Sequence, residues 1–529
     1  MTKRVGIPLF VAGILVVALL HGLWITRGLV VPPDIDAIRD IGFAQGFLDG
    51  NWWGDPAYGG AARYYPPLIP ALEAAAIALA GIRDIPRAWV MAGPWLNLLV
   101  PLAFFPAAWR LLDEAGAALC ALAVFVLAVG TLSVPWMGAG YTPWLLTPML
   151  AQAAFLGSLW LTRGRIETLR LRNAPLLGLA YGLTLLAHPV PALLLSTMLA
   201  LAILILHGRR GVPFLALAGL TEALVALPYL LPLLLLHPDG ILNPEPGAWV
   251  APLLRQGRWH LAQATVLNLP GALATIVLWR LRGAMPLSRP SVLLLAGLIG
   301  TCAAMLLRHQ ACTLLAEGVG PALCRLPGVP VHHFHLYLQL GWAFVLGHVL
   351  WHGAGIWARG RPERRRLLGR AIAAALLVGA AAIWLRPYDG EARARCLIAG
   401  DLPMDLALYR WVLVNTPPEA TFVTAGEDDI VAGEDVSGSF AVWAAGRRFV
   451  ALYPLFSNPY VSWTAHEAAR KRAMLWLRGD VPACVNVGES LWAVLPAGFV
   501  VGPGRAQKRF DSGVHAVWHI ARQGCEPSG

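Results

Sequence analysis

Charge is scarce in this chain. Only 13% of its 529 residues are charged, 57% are hydrophobic, and the mean hydropathy is +0.60. A soluble domain carries about 25% charged residues, so this composition excludes an ordinary soluble protein and indicates an α-helical polytopic membrane protein. Lysine is nearly missing. Lys3, Lys471 and Lys508 are the three present, and arginine supplies almost all the positive charge, a bias without functional weight. The net charge of +11 would suit a polyanion. Yet the basic residues sit in short clusters between apolar runs, as in cytoplasmic loops, so no nucleic-acid partner is expected. Cysteine is sparse as well, with no CxxC and no His/Cys spacing of a zinc site. Cys120 and Cys302 fall in apolar segments as packing residues. Cys312 and Cys324 share one loop expected outside, where a bridge between them is expected, and Cys396, Cys484 and Cys525 follow the last apolar segment. Internal repeats, low-complexity tracts and long linkers are lacking.

Apolar runs long enough to cross ~30 Å of hydrocarbon need about 20 helical residues. They lie near 7–26, 88–109, 116–136, 143–162, 174–188, 190–207, 213–236, 263–280, 290–307, 333–352 and 368–385, which makes about 11 transmembrane helices. The run 67–82 is short, opens with Pro66-Pro67 and carries Glu73, so it reads as a re-entrant or surface-lying helix. Counting it as a span would put the arginine-rich loops outside. With it left out, Lys3, Arg4, Arg110, Arg163, Arg165, Arg170, Arg172, Arg209, Arg210 and the cluster from Arg359 to Arg370 fall inside. The N-terminus is then cytoplasmic, and the first segment reads as an uncleaved signal anchor, since no small-x-small cleavage site follows it. This places residues 1–385 in the membrane domain, with 28–87 as a long first outside loop.

From about residue 386 the composition becomes that of a soluble α/β domain, extracytoplasmic on this topology and spanning 386–529. A helix is expected over 401–415 and another over 465–477. Strands are expected over 421–424, 440–443, 448–453, 491–495 and 516–520.

The first outside loop holds the most conspicuous polar residues. Pro32-Pro33-Asp34-Ile35-Asp36 opens it, and Arg39 and Asp40 follow on a segment whose Ile38, Ile41, Ala44, Gln45 and Leu48 share one helical face. A surface helix over about 37–48 is expected, with Gly50 as its stop. Asp34 or Asp36 could cap that helix. Alternatively, one of them acts as general base or metal ligand, because a carboxylate at a membrane face can deprotonate an acceptor hydroxyl. Trp52 and Trp53 could stack on sugars, although interfacial tryptophans are common.

Several features occur in order: Asp36-x-x-Arg39, a small-residue helix ending in Leu48-x-Gly50, Asp55-Pro56, and Tyr65-Pro66-Pro67-Leu68. This pattern resembles the first loop of GT-C membrane glycosyltransferases, most closely the branch holding protein O-mannosyltransferases and the lipid A aminoarabinose transferase. The resemblance is clear over roughly 30–110 and architectural beyond. It implies a GT-C-like fold, a catalytic carboxylate in the first loop, and a polyprenyl-phosphate sugar as donor. Carried over by position, Asp36 would be the base, Arg39 would orient the acceptor or pair with phosphate, and Tyr65 would line the donor site. Asp34 is the alternative base, or would form with Asp36 an Asp-x-Asp site for a divalent cation. The family often has lysine where this chain has Tyr65, which weakens the expected phosphate contact.

Other candidates for substrate binding lie at the same expected membrane face. His332, His333 and His335 open the tenth segment, able either to bind phosphate oxygens or a metal, or to anchor a helix end beside Tyr337. Arg308 could supply a fixed positive charge or snorkel. His188, before Pro189, closes the fifth segment as a site residue or a helix-end histidine. Glu222 lies deep in an apolar run, where a carboxylate faces a cavity or bonds a neighbour. Gly446-Arg447-Arg448 and Leu455 to Tyr460 could touch the acceptor, with a plain structural role preferred.

The leading reading is an inverting glycosyltransferase in the cytoplasmic membrane. It would move a sugar from a polyprenyl phosphate to a glycan, lipid or protein acceptor outside, with membrane lipids around it. A transporter or flippase of lipid-linked sugars is the second reading, and a GT-C-fold assembly protein without catalysis the third.

Overall fold

A computed structural model of the chain describes residues 2–59, 61–129, 139–237, 257–314, 332–424, 437–451, 458–480 and 491–520. Its helices begin with α1 (Thr2–Thr26), α2 (Ile35–Leu48), α3 (Leu68–Ala80), α4 (Ile85–Leu96), α5 (Leu99–Leu112) and α6 (Ala115–Ala123). Next come α7 (Thr147–Arg163), α8 (Ala174–Ala187), α9 (Pro189–His207), α10 (Val212–Leu236), α11 (Gly257–Arg280) and α12 (Arg289–Leu314). The chain continues through α13 (His332–Trp357), α14 (Pro362–Trp384), α15 (Pro387–Leu397), α16 (Leu406–Asn415), α17 (Ser437–Ala444) and α18 (Trp463–Arg478). Among the described residues, five stretches are long and apolar enough to cross a membrane: Ile7–Thr26, Ile85–Leu112, Pro189–Leu236, Arg289–Arg308 and Pro362–Leu397. Helix also occupies the other expected segments, except 143–146 of the fourth, which is not helical, and 130–136 of the third, which lies outside the described residues. So do Cys324 and, beyond its backbone, Cys312, which leaves the expected bridge between them undescribed.

Packing divides the chain into two compact units. One comprises Met1–Arg27, Met91–Leu227 and Pro252–Glu391; the other comprises Gly28–Val90, Pro228–Ala251 and Ala392–Gly529.

The first unit is a helical bundle. Its core holds a stack of three rings, with Phe104 4.2 Å from Phe125 and 4.6 Å from Phe344. Offset and edge-on aromatic pairs add to what their buried area contributes. Between α6 and α7 the backbone of residues 139–146 is buried yet not helical. Such a stretch in an apolar bundle must find hydrogen bonds within the protein. Asn97 Nδ2 donates to the carbonyls of Thr142 and Trp144 at 2.8 and 2.6 Å, and the Ala139 N–H donates to Gln339 Oε1 at 3.2 Å. Trp144 Nε1 donates to buried Asp389 at 3.0 Å.

The second unit contains a five-stranded sheet in the order β2-β1-β3-β5-β4, from β1 (Thr421–Thr424), β2 (Arg448–Phe449), β3 (Leu491–Pro496), β4 (Gln507–Asp511) and β5 (His515–His519). β1 runs parallel to β2 and β3, whereas β5 is antiparallel to β3 and β4. Alternation along β3 sends Leu491, Ala493 and Leu495 against Ala473, Trp476 and Leu477 of α18. Trp492 lies beside Phe422 and Trp411 on the opposite face. The short β2 edge is covered by the first loop, where the Phe449 N–H donates to the Ala57 carbonyl at 2.7 Å.

Three expectations change here. The segment expected as a strand over 440–443 is helical, within α17; its run Ser437–Ala444 is short and buried throughout, the case in which period alone cannot separate helix from strand. Of the expected strand over 448–453, Arg448–Phe449 is regular strand and 450–451 is not, while 452 and 453 lie outside the described residues. β4 was not expected, because Gln507–Asp511 is an exposed, charged edge strand with no apolar alternation.

Candidate active site

α2 is built to hold charge on an otherwise buried helix. Asp34, with φ −101° and ψ 131°, follows Pro33 and accepts the Asp36 N–H at 2.8 Å as N-cap. The helix stops at Asp49 and Gly50, whose φ of +82° favours glycine. Between Asp36 and Phe47 every residue is buried except Asp36 and Arg39. The expected surface helix is therefore a buried one, packed against α3 and α17, with a polar window at its first turn.

Arg39 organises that window. Its Nη1 donates to Asp36 Oδ1 at 2.7 Å, its Nε and Nη2 both donate to Asp40 Oδ1 at 2.9 and 2.8 Å, and Nη2 reaches the Tyr65 hydroxyl at 3.3 Å. The guanidinium carbon lies 4.9 Å from the centre of the Tyr65 ring, within cation–π range. Exposure grades the two carboxylates, since the Asp36 side chain is 27% accessible and that of Asp40 is 0%. Burial alone would pull the Arg39 pKa down, but Asp36 and Asp40 outweigh it and hold the proton more firmly. Tyr65 and Tyr64 are both pushed up, by burial first, so they stay neutral hydroxyls. The Tyr64 carbonyl accepts from the Tyr229 hydroxyl at 2.5 Å, which fixes the segment leading into Pro66-Pro67.

α3 begins after these prolines and ends at Gly81 in the left-handed region. Its buried side includes Glu73, whose two carboxyl oxygens are buried without a hydrogen-bond partner among the described residues. Burial, then the neighbouring charge of Asp40, raises its pKa well above the ordinary range, which favours the neutral acid.

A second polar cluster braces the loop. Asp55 accepts the Ala57 N–H at 2.6 Å, the Tyr58 N–H at 3.2 Å and Asn458 Nδ2 at 2.7 Å. Burial raises its pKa to about 6, against the lowering effect of these donors and of Arg63. Arg63 lies over the Phe47 ring at 3.9 Å and donates to the Asn51 carbonyl at 2.7 Å; burial lowers its pKa to about 10. Trp52 and Trp53 are exposed, and Trp52 meets Phe47 edge-on at 5.2 Å.

The fold gathers Asp34, Asp36, Arg39 and Tyr65 in this second unit. Asp34 and Asp36 each hold a different partner through Oδ1, a helix N–H and a guanidinium respectively. Among the described residues no group of three His, Cys, Asp or Glu could hold a metal.

His188, Glu222, Arg308, His333 and His335 belong to the first unit. His188 Nδ1 accepts the Val190 N–H at 3.3 Å, capping α9 and leaving the proton on Nε2. Its ring centre is 4.5 Å from that of His333 at the start of α13. His335 is buried, Arg308 is half-buried, and the side chain of His332 lies outside the described residues. Glu222 stands apart from these, taking the Ser196 hydroxyl at 3.0 and 3.1 Å on its two oxygens. Gly178 and Gly182 of α8 lie so close to α10 that a Cβ on either would collide with it.

No site role was read from sequence for Asp40, Glu73, Asp55 or Arg63. Asp40 had a signal: a carboxylate one residue after Arg39, on the side of the helix otherwise apolar. Arg447, for which a structural role was preferred over acceptor contact, is a clamp, 2% exposed and donating to Asp49, Thr416, Leu413 and Ala445.

No family model and no curated protein matches the sequence. Solved structures do match. ArnT from Cupriavidus metallidurans, bound to undecaprenyl phosphate, aligns over 98% of this chain and 99% of its own, with a TM-score of 0.55 and 15% identity. The arabinofuranosyltransferase AftD from Mycobacteria aligns over 97% of this chain but 40% of its own, with a TM-score of 0.53 and 15% identity. Such low identity speaks for fold alone. In fold, this chain is similar to ArnT and AftD.

Proposed function

We propose that the chain is a glycosyltransferase that moves a sugar from a polyprenyl-phosphate donor to a hydroxyl acceptor, a glycan, lipid or protein outside the cytoplasmic membrane, with Asp36 as general base. One observation carries the proposal: Asp36 is the accessible carboxylate of α2, with Oδ1 held by Arg39 and Oδ2 without a hydrogen-bond partner among the described residues. In the step proposed, Asp36 takes the acceptor's proton while the acceptor oxygen attacks the anomeric carbon opposite the phosphate. The bond from that carbon to the phosphate oxygen breaks, the polyprenyl phosphate leaves with the electron pair, and the configuration inverts. Arg39 orients Asp36, and the Tyr65 hydroxyl and ring line the same window. His188, His333, His335 and Arg308 are assigned to donor phosphate on their chemistry, as imidazole and guanidinium donors. The binding of undecaprenyl phosphate by ArnT, a protein of the same fold, supports that donor class.

The test uses the purified full-length protein with a panel of radiolabelled undecaprenyl-phosphate sugars and membrane extracts as acceptor. Covalent transfer that falls at least a hundredfold in Asp36→Asn is the expected result. Transfer that survives in that variant overturns the assignment of the base. Movement of labelled lipid across a vesicle without covalent transfer overturns the enzyme reading in favour of a transporter.

A further inference from the structure

The turn that begins at Asn458 carries a tyrosine that the proposed chemistry does not use. Asn458 is fully buried and bonded at both ends of its amide. Its Nδ2 donates to Asp55 Oδ2 at 2.7 Å and to the Ala62 carbonyl at 3.1 Å, while its Oδ1 accepts the Tyr460 N–H at 2.9 Å. One side chain thus fixes the backbone of Tyr460 against the first loop, just before Tyr64 and Tyr65.

Tyr460 is half-buried and packs on His237, the residue that follows α10, with ring centres 5.1 Å apart and planes inclined by 26°. Neither polar end of the pair is satisfied among the described residues. His237 Nε2 is buried without a hydrogen-bond partner; the Tyr460 hydroxyl has none either, although it is not enclosed. Polar groups left so in a folded protein call for a partner from outside it.

The pair continues a row of tyrosines that leads to the window on α2. Tyr460 lies within electrostatic reach of Tyr229, and the Tyr229 hydroxyl donates to the Tyr64 carbonyl at 2.5 Å. Tyr64 lies within the same reach of Asp36 and Arg39, and its ring stands 6.2 Å from that of Tyr65. All of these residues belong to the second unit. A saccharide fits such a row, because its C–H faces pack on aromatic rings and each of its hydroxyls is both donor and acceptor. A phosphate fits it badly: the pair brings no arginine or lysine, and an anion laid against apolar ring faces loses hydration without compensation.

We infer that Tyr460, backed by His237, binds a sugar ring of the acceptor, so that the hydroxyl presented to Asp36 belongs to a saccharide. This rests on the glycosyltransferase reading and narrows its acceptor to a glycan or a glycolipid. The Tyr460 hydroxyl is the exposed contact, and its ring supplies the apolar one.

The test compares the unaltered full-length protein with Tyr460→Phe and Tyr460→Ala. Because the Tyr460 hydroxyl bonds nothing within the protein, Tyr460→Phe should keep the melting temperature. With a radiolabelled undecaprenyl-phosphate sugar as donor and membrane extract as acceptor, the KM for acceptor rises about fivefold in Tyr460→Phe and about tenfold or more in Tyr460→Ala. In Tyr460→Phe the kcat and the affinity for a fluorescent polyprenyl phosphate stay as they were, a split that a merely structural tyrosine does not produce. An unchanged acceptor KM in both variants overturns the inference, and so does a loss confined to polyprenyl-phosphate affinity. Periodate, which cleaves the vicinal diols of sugars, should abolish the acceptor activity of the extract; transfer to treated extract at the untreated rate overturns the saccharide class. If the unaltered protein transfers nothing, the glycosyltransferase reading fails, and saturation-transfer NMR with a panel of methyl hexosides and pentosides decides the sugar site by itself. Saturation of ring protons that is kept in Asp36→Asn and lost in Tyr460→Ala upholds it. Saturation that is absent, or equal in Tyr460→Ala, overturns it.

Discussion

Arg447 Nη1 donates to Asp49 Oδ2 at 2.8 Å, joining residues 398 positions apart in sequence at the C-terminal end of α2. Asp49 also takes Gln45 Nε2 at 2.8 Å, and Arg447 donates further to the Thr416 hydroxyl and to the carbonyls of Ala445, Leu413 and Thr416. The arginine thus ties the helix bearing Asp36 to the segment between α16 and β1. Removing it strands a carboxylate and several buried carbonyls at once.

Arg447→Met is therefore expected to cost about 3 kcal/mol or more, because breaking a buried pair leaves its partner uncompensated. Arg447→Lys recovers little of this, since a point charge cannot reach acceptors spread around a planar fork. Thermal unfolding in detergent, followed by intrinsic fluorescence, is the measurement. A melting temperature of Arg447→Met equal to that of the unaltered protein would remove the clamp from the argument.

Glu73 gives a pH-dependent signature. Its folded pKa is raised by burial and by Asp40, so the folded protein keeps its proton where the unfolded chain loses it. Below about pH 4, Glu73 is neutral in both states and has no effect on stability. As pH climbs through the unfolded pKa, stability falls by up to about 1.4 kcal/mol for each unit until the folded group also ionises. Glu73→Gln removes that loss. Its melting temperature should match the unaltered protein near pH 4 and exceed it by a growing margin toward pH 8, and a constant offset across that range would refute the neutral carboxyl.

Sequence reading went furthest where local chemistry decides structure. Pro33 and Asp34 mark the start of α2 and Gly50 its end; Pro66-Pro67 and Gly81 bracket α3; β1, β3 and β5 follow from short β-rich runs. Asp36 and Arg39 stood out together in the acid-x-x-Arg pattern, though the ion pair between them was not read from it. What could not be read is long-range. Nothing local announces that Asn458 meets Asp55 at 2.7 Å, or that Arg447 meets Asp49. Nor does sequence reveal that α2 is enclosed on its polar side too, the circumstance that makes Asp40 and Glu73 matter. Asp34 was open between cap and base, and the structure shows the cap, with the Asp36 N–H donating to Asp34 Oδ1 at 2.8 Å.

Gly42 tests how tightly α2 is enclosed. A Cβ added there would run into the Trp443 carbonyl of α17, a backbone atom that has no rotamer by which to retreat. Gly42→Ala gains some helix propensity, about 1 kcal/mol, but overpacking at a rigid contact costs about 1–3 kcal/mol. The net expectation is a lowered melting temperature together with weaker pairing of Arg447 and Asp49, since α17 leads directly into Arg447. A double variant with Arg447→Met should therefore lose less than the sum of the two single losses, and strict additivity would show that the two contacts are independent.

His188 separates a structural from a chemical role by the choice of replacement. Its Nδ1 already caps α9, so His188→Ala removes both the cap and the imidazole, and a stability loss there says nothing about ligand. Asparagine at this position can present a side-chain oxygen to the Val190 N–H, and it ranks among the best N-caps. His188→Asn should accordingly hold the melting temperature close to that of the unaltered protein, while His188→Ala loses about 1 kcal/mol. The ring that stands 4.5 Å from His333 is gone in both. If that imidazole donates its Nε2 proton to a phosphate oxygen, a charge-assisted bond worth about 1.5–3 kcal/mol disappears in both variants. The affinity for undecaprenyl phosphate, measured by displacement of a fluorescent polyprenyl phosphate, would then fall at least tenfold in His188→Asn despite its intact fold. Unchanged affinity in His188→Asn would make His188 a helix cap that touches no donor.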